Sequence, residues 1–139
     1  MVFLFVVFLS IIQTILLMYA YTTLGNAAKE GVRYAIVHGT GNTNCSGPGT
    51  TGPPAVTCSD TTGANVQNAV VNFAALSFQN VQTSDVTVSY NPNGANGATD
   101  CNVPGCLVRV TVHYQYQPVF GFSWPSFTLY AAADGRIMN

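Results

Sequence analysis

Few side chains in this sequence could perform acid–base or metal chemistry, and they are scattered along the chain. The carboxylates, which form no catalytic pair motif, belong to Glu30, Asp60, Asp85, Asp100 and Asp134. Of the two histidines, His113 alternates with Thr111 and Gln115 as a solvent-facing strand residue would, and His38 stands where a helix C-terminus favours a cation. No GxSxG, HExxH, P-loop or dinucleotide motif occurs. The sequence therefore predicts no catalytic, cofactor-binding or metal-binding site, and we expect that the protein is not an enzyme.

The four cysteines offer a different chemistry. They are Cys45, Cys58, Cys101 and Cys106. Their spacing is not that of CxxC zinc knuckles, and neither histidine lies close enough in sequence to complete an obvious ligand set. We favour the local disulfides Cys45–Cys58 and Cys101–Cys106, because each closes a loop rich in glycine and proline. Other pairings, and reduced thiols in the cytosol, are the alternatives. Disulfides persist in oxidising compartments, so the local pairing predicts a domain outside the inner membrane.

Length and charge narrow the class of protein. The chain has 139 residues, enough for one small domain. Only 6% of the residues are charged, and the formal net charge is −1. An ordinary soluble domain carries about 25% charged residues. We therefore expect no nucleic-acid partner, because phosphate binding needs a basic surface. A surface polar through Asn, Thr, Ser and Gln suits an extracellular or densely packed setting.

An apolar stretch opens the chain. No charged residue precedes Lys29, and Met1–Leu24 consists mostly of Val, Leu, Ile and Phe. About twenty such residues in a helix cover the roughly 30 Å hydrocarbon layer of a bilayer. A helix that is apolar on every side must be surrounded, by lipid or by copies of itself.

The flanks of this stretch favour a processed N-terminus. A signal peptide needs a basic segment before its apolar run, and none is present. Lys29 and Arg33 flank only the C-terminal side, which by the positive-inside rule would hold the rest of the chain in the cytoplasm, in conflict with the disulfides. We therefore expect that Met1 is not the translated start, and that a basic leader has been removed or lies outside this sequence.

The helix is predicted to continue beyond the apolar stretch. Apolar residues recur at helical spacing at Leu24, Ala27, Ala28, Val32, Ala35 and Ile36. Lys29, Glu30 and Arg33 fall on the opposite side, and His38-Gly39 is a plausible stop. We expect a helix over residues 1–39 and a globular head with disulfide-closed loops over residues 40–139.

The head is predicted to be a small α+β unit. The segment GANVQNAVVNFAALSF predicts a helix whose apolar stripe is Val66, Ala69, Val70, Phe73 and Leu76. Three segments typical of β-strands follow: VTVSY, LVRVTVHYQYQ and FTLYAA. Between the first two, NPNGANG has the residues typical of a turn. The expected fold class is α+β: a long N-terminal hydrophobic helix, one further helix and a small antiparallel sheet.

Two loops carry further hypotheses. NCSGPGTTGPPAVTC is predicted to be exposed, Asn44-Cys45-Ser46 within it matches a glycosylation sequon, and its threonines could carry O-linked sugar. Glycan modification of this Thr/Gly/Pro loop is therefore one hypothesis. QPVFGFSWPSF clusters aromatic residues around Trp124, which favours a hydrophobic or lateral subunit contact. A sugar-binding patch is the alternative.

The segment YAYTTLGNAAKEGVRYAIVHG, residues 19–39, resembles the signature of TadE-like pilus-assembly proteins, a family related to type IV pilins. In that family a hydrophobic helix leads into an Asn-Ala-Ala-basic-Glu-Gly-x-Arg-Tyr-Ala segment. The matching positions here are Asn26, Ala27, Ala28, Lys29, Glu30, Gly31, Arg33, Tyr34 and Ala35. The chain departs from the pattern at Gln13, where the family would place an acid, and at Phe5, where classical type IV pilins carry a glutamate. The acid thought to set subunit register therefore has no counterpart here.

The resemblance implies removal of a leader and assembly through the N-terminal helix. It supports the hypothesis of a structural subunit of an extracellular pilus-like filament at the bacterial cell surface. The implied partners are copies of the chain in a helical homopolymer, the inner membrane before assembly and the pilus secretion machinery. The helix residues expected to make the subunit contacts are Val2, Phe3, Phe5, Phe8, Ile12, Leu16 and Tyr19. A membrane-anchored minor pseudopilin or assembly factor of a Tad-type pilus is the alternative, and a secreted carbohydrate-binding module, resting on Trp124, is a third.

Overall fold

The fold is a long helix against which a second helix and a three-stranded sheet pack. A computed structural model describes residues 1–48, 58–77, 80–92, 101–119 and 126–138. Helix α1 spans Val2–Val37 and helix α2 spans Ala64–Ala74. A short 3₁₀ turn at Thr83–Asp85 leads into the strands, which are β1 (Val86–Tyr90), β2 (Leu107–Tyr116) and β3 (Phe127–Arg136). The predicted α+β class is confirmed.

The sheet is antiparallel, with strand order β1-β2-β3. Val86 of β1 lies opposite Val112 of β2. The β2–β3 ladder extends from Leu107↔Arg136 at one end to Tyr116↔Phe127 at the other. The register places alternate residues of all three strands on the same face.

One face of the sheet is buried against the helices. The alternation of β2 predicts one face with Val108, Val110, Val112, Tyr114 and Tyr116; all of them are buried except Tyr114, which is partly buried. On α1 the buried residues are Gln13, Ala20, Leu24, Ala27, Ala28, Gly31, Val32 and Ala35. Both helices contribute to one core with the sheet. The predicted buried stripe of α1 is confirmed, except that Ile36 is only partly buried.

Two features of the head differ from the sequence prediction or fall outside the described residues. The buried stripe of α2 is Val66, Val70 and Ala74, whereas Leu76 lies beyond the end of the helix and is 86% exposed. Leu76 was predicted to be on the buried stripe, and this was wrong because the helix ends before residue 76 can turn toward the core. Most of the predicted turn NPNGANG falls within residues 93–100, outside the part of the chain described.

Candidate functional site

The N-terminal part of α1 exposes apolar side chains on every side. No residue from Met1 to Ile12 is buried, and Phe3, Phe5 and Phe8 are 81%, 60% and 60% exposed. At 1.5 Å per residue, this segment extends about 18 Å beyond the first buried position of the helix. We call residues 1–12 the free helix. By length and composition α1 could cross a membrane.

The head covers one side of α1 from Gln13 onward. The Gln13 side chain is 4% exposed, and its Nε2 donates a hydrogen bond of 2.9 Å to the hydroxyl of Tyr116, at the end of β2. Ala20 and Leu24 are fully buried. Met1–Leu24 was expected to be surrounded by lipid or by copies of the chain, but at Gln13, Ala20 and Leu24 the chain's own head covers one side of the helix.

The structure places the predicted contact residues of α1 in two environments. Val2, Phe3, Phe5 and Phe8 lie on the free helix and are exposed. Ile12 and Leu16 are half-buried, and Tyr19 is 48% exposed beside the head. Sequence reasoning omitted Ile11, Ile15 and Met18, which are more than half exposed. They continue the apolar surface from the free helix toward the head.

The part of α1 that carries the TadE-like motif, residues 26–35, serves mainly to pack the helix on the head. Ala27, Ala28 and Gly31 are buried, and a Cβ on Gly31 would lie 2.4 Å from Val70 Cγ2 of α2. A glycine at position 31 therefore allows the two helices to approach closely.

The charged residues of the same segment lie on the outer side of the helix, whereas Tyr34 is partly buried against the core. Lys29 and Arg33 are exposed, and Arg33 forms an ion pair with Glu30, one turn away, at 3.5 Å. The Tyr34 ring stacks on His38, whose Nδ1 lies 2.8 Å from the Tyr34 carbonyl oxygen. His38 is the C-cap of α1, the position that the sequence predicted.

The disulfides of the structure are Cys45–Cys58 and Cys101–Cys106, the pairing favoured from the sequence. Their Cα atoms are 5.0 and 5.9 Å apart. All four cysteines are buried. Most of the Thr/Gly/Pro loop lies in residues 49–57, outside the described part, and so does Trp124.

A buried polar network beside the first disulfide was missed by sequence reasoning. The Asp60 carboxylate accepts hydrogen bonds from the backbone amides of Ala64 (2.9 Å) and Asn65 (2.8 Å) at the start of α2, and from the hydroxyl of Ser46. Asn102 Nδ2 donates to the carbonyl oxygen of Ser46 at 2.7 Å. An aspartate just before a predicted helix is a known capping signal and could have identified Asp60.

This network is structural rather than catalytic. Burial alone would raise the pKa of the Asp60 carboxyl, but the hydrogen bonds from Ser46, Asn65 and Ala64 outweigh burial and lower the pKa below its usual value. Burial also raises the pKa of the neighbouring Tyr90 phenol to about 12. Both groups are thereby held in one protonation state near neutral pH, so neither is poised for proton transfer.

The remaining ionisable groups form no reaction centre among the described residues. His113 packs edge-on against Tyr130, with ring centroids 4.9 Å apart. Arg109 pairs across the sheet with Asp134 through two hydrogen bonds, of 2.6 and 2.8 Å. No cluster of three metal-ligating side chains occurs within the described ranges.

A groove lies where α1 passes the end of α2. Its volume is about 280 Å³, and it is lined by Tyr19, Thr22, Thr23, Asn26, Phe73, Leu76 and Ser77. The lining contains no charged residue. Leu76, which the core does not use, forms part of this wall.

Comparison with known proteins bears on the helical part of the chain. Residues 1–33 match the model of the family described as TadE-like protein. The N-terminal segment is therefore similar to that of TadE-like proteins. The TadE-like segment includes the whole free helix and the motif from Asn26 to Arg33, so the resemblance recognised in the sequence is confirmed there. No significant match was found among curated proteins or solved structures.

Proposed function

We propose that this chain is a structural subunit of an extracellular pilus-like filament, assembled through the free helix. The observation that carries the proposal is the exposure of the free helix: within the described part of the chain none of residues 1–12 is buried, and most of their apolar side chains are exposed. Fully burying one Leu, Ile, Val or Phe contributes about 1.5–3 kcal/mol, so exposure to water on every side is not a stable arrangement. Lipid before assembly and neighbouring helices after assembly both remove this surface from water.

The TadE-like segment and the head support the same proposal. The family is associated with pilus assembly, and the matched residues 1–33 include the whole free helix. The head is closed by two disulfides, as suits a domain that works outside the inner membrane. Because no charge precedes Lys29, close packing of the free helices would desolvate no ionic side chain.

The test is to shear surface material from producing cells, image it by negative-stain microscopy and identify its proteins by mass spectrometry. We expect filaments in which this chain is the dominant polypeptide and in which Cys45 is linked to Cys58. Filaments composed mainly of another protein, with this chain in a few copies or only in the membrane fraction, would instead assign it the role of a minor pseudopilin or assembly factor.

A further inference from the structure

The groove between α1 and the end of α2 has the properties of a preformed docking surface. Leu76 is 86% exposed on its wall, although a large aliphatic side chain gains by burial. The volume of about 280 Å³ is roughly twice that of an apolar cavity known to hold a benzene ring. The groove can therefore take an aromatic side chain.

Three hydroxyl groups of the groove already have hydrogen-bond partners within the chain. Thr22 and Thr23 donate their hydroxyl hydrogens to the carbonyl oxygens of Met18 (2.9 Å) and Tyr19 (3.0 Å), one turn earlier in the helix. Ser77 donates to the carbonyl oxygen of Ala74 at 2.7 Å. Since these three hydroxyl groups already have partners within the chain, covering the groove leaves none of them unsatisfied.

We propose that this groove receives the free helix of a second copy of the chain, with Phe5 or Phe8 inserted beside Leu76. The inference rests on the proposed function and specifies the receiving surface. Phe3, Phe5 and Phe8 together expose roughly 400 Å². The other exposed residues of the free helix extend this apolar surface around the helix, so one side can contact the groove while further copies cover the rest. Neither surface carries a charge.

A free helix that occupies this groove must come from another molecule. Phe5 and Thr23 lie on one continuous helix, 18 residues apart, so they are separated by about 27 Å along its axis. A helix cannot fold back onto its own flank without breaking. The contact therefore fits parallel copies displaced by about 27 Å along the helix axis.

Photo-crosslinking in producing cells tests this contact. A benzophenone amino acid replaces Phe5 in the full-length chain, and the cells are irradiated before the filaments are sheared and digested. We expect dimers and higher oligomers in which position 5 is joined to a peptide containing Phe73 or Leu76. The same amino acid in place of Tyr130, which is exposed on the opposite face of the sheet, is the control and should not label that peptide.

A matched pair of substitutions supplies a second readout. Leu76→Arg should lower filament yield at least tenfold, whereas Leu76→Met should preserve it. Because Leu76 is exposed, both variants should keep the thermal unfolding midpoint of the wild-type subunit in detergent.

Filaments of normal yield from Leu76→Arg, with crosslinks from position 5 to other sites or to lipid, would overturn the groove contact and leave the filament proposal standing. If wild-type cells produced no filament of this chain at all, both proposals would fall.

Discussion

At the scale of single residues, buried polar groups specify how the parts of the head meet. Asp60 joins the start of α2 to the loop that carries Cys45, through Ala64, Asn65 and Ser46. The backbone reinforces this junction, because the amide of Gly47 donates to the carbonyl oxygen of Asp60 at 2.6 Å. Such a network is stabilising only while all of its members are paired.

Replacing Asp60 tests the network. Asp60→Asn should lower the free energy of unfolding at pH 7 by about 1–3 kcal/mol, since the amide nitrogen of asparagine cannot accept the hydrogen bond that a carboxylate oxygen accepted. Because the pKa of Asp60 is lowered in the fold, its contribution is present above the unfolded value of about 4 and is lost as the pH falls through the folded pKa.

The difference between wild type and Asp60→Asn should therefore shrink below pH 4, as measured by denaturant unfolding of the detergent-solubilised chain. Glu30→Gln, which removes an exposed carboxylate from the ion pair with Arg33, is the control and should change stability by less than about 0.5 kcal/mol. A difference that stays constant down to pH 2.5 would exclude an ionised Asp60 as the source of the stability.

A second residue-scale contact, Gln13–Tyr116, can be separated by a double-mutant cycle. Tyr116→Phe leaves Gln13 Nε2 buried without its acceptor, which should cost about 1–3 kcal/mol. Adding Gln13→Leu removes the stranded donor and should recover most of that loss. Thermal unfolding of the two single variants and the double variant gives the coupling energy, and additive losses would contradict the contact.

At the scale of elements, α1 packs through small side chains. Ala27, Ala28, Gly31 and Ala35 bring its backbone close to α2 and the sheet. Gly135 of β3 serves the same purpose from the other side, because a Cβ there would lie 2.4 Å from Val32 Cγ1. Close approach of the backbones explains why alanine and glycine occupy these four positions of α1.

The same substitution at two glycines of α1 should have opposite effects. Gly31→Ala would place its Cβ 2.4 Å from Val70 Cγ2, and Val70 is fully buried. The resulting overpacking costs about 1–3 kcal/mol, more than the roughly 1 kcal/mol gained in helix propensity. Gly25→Ala meets no atom within 4 Å and should stabilise by up to about 1 kcal/mol. Denaturant unfolding of both variants measures whether each substitution raises or lowers the free energy of unfolding. If both raised it, the α1–α2 contact would be looser than described.

At the scale of the whole molecule, one helix belongs to two environments. Its second half is part of the core of the head, and none of its first twelve residues is buried by the described part of the chain. The Gln13–Tyr116 hydrogen bond lies at the boundary. Residues 1–12, on the N-terminal side of this hydrogen bond, can be changed without disturbing the core. Assembly can therefore be tested separately from folding.

A charge on the free helix should block assembly and leave the head folded. Ile11 is 55% exposed, so it tests the surface more cleanly than the half-buried Ile12. Ile11→Asp would place a charge in an apolar bundle, at a cost of about 2.5 kcal/mol or more in a lipid-like surrounding. We expect filament yield to fall at least tenfold by electron microscopy, with Ile11→Leu as the volume-matched control. Normal filaments from Ile11→Asp would show that the free helix is not packed in them.

Periodicity and composition alone determined much of this protein. The apolar run before Lys29, the stripe from Leu24 to Ala35 and the alternation of β2 are local patterns, and each reflects the repeat of a helix or a strand. The TadE-like resemblance was equally local. Local sequence could not, however, predict that Leu76 is exposed, because its exposure depends on where α2 ends.

Only the tertiary structure decided which part of α1 is free and which surface lies ready for a partner. Gln13 and Tyr116 are 103 residues apart in sequence, and the groove combines residues from the middle of α1 with the end of α2. Contacts of this kind depend on how far a sheet lies along a helix and where a second helix stops. These distances are set by packing in three dimensions, which no periodic pattern along the chain encodes.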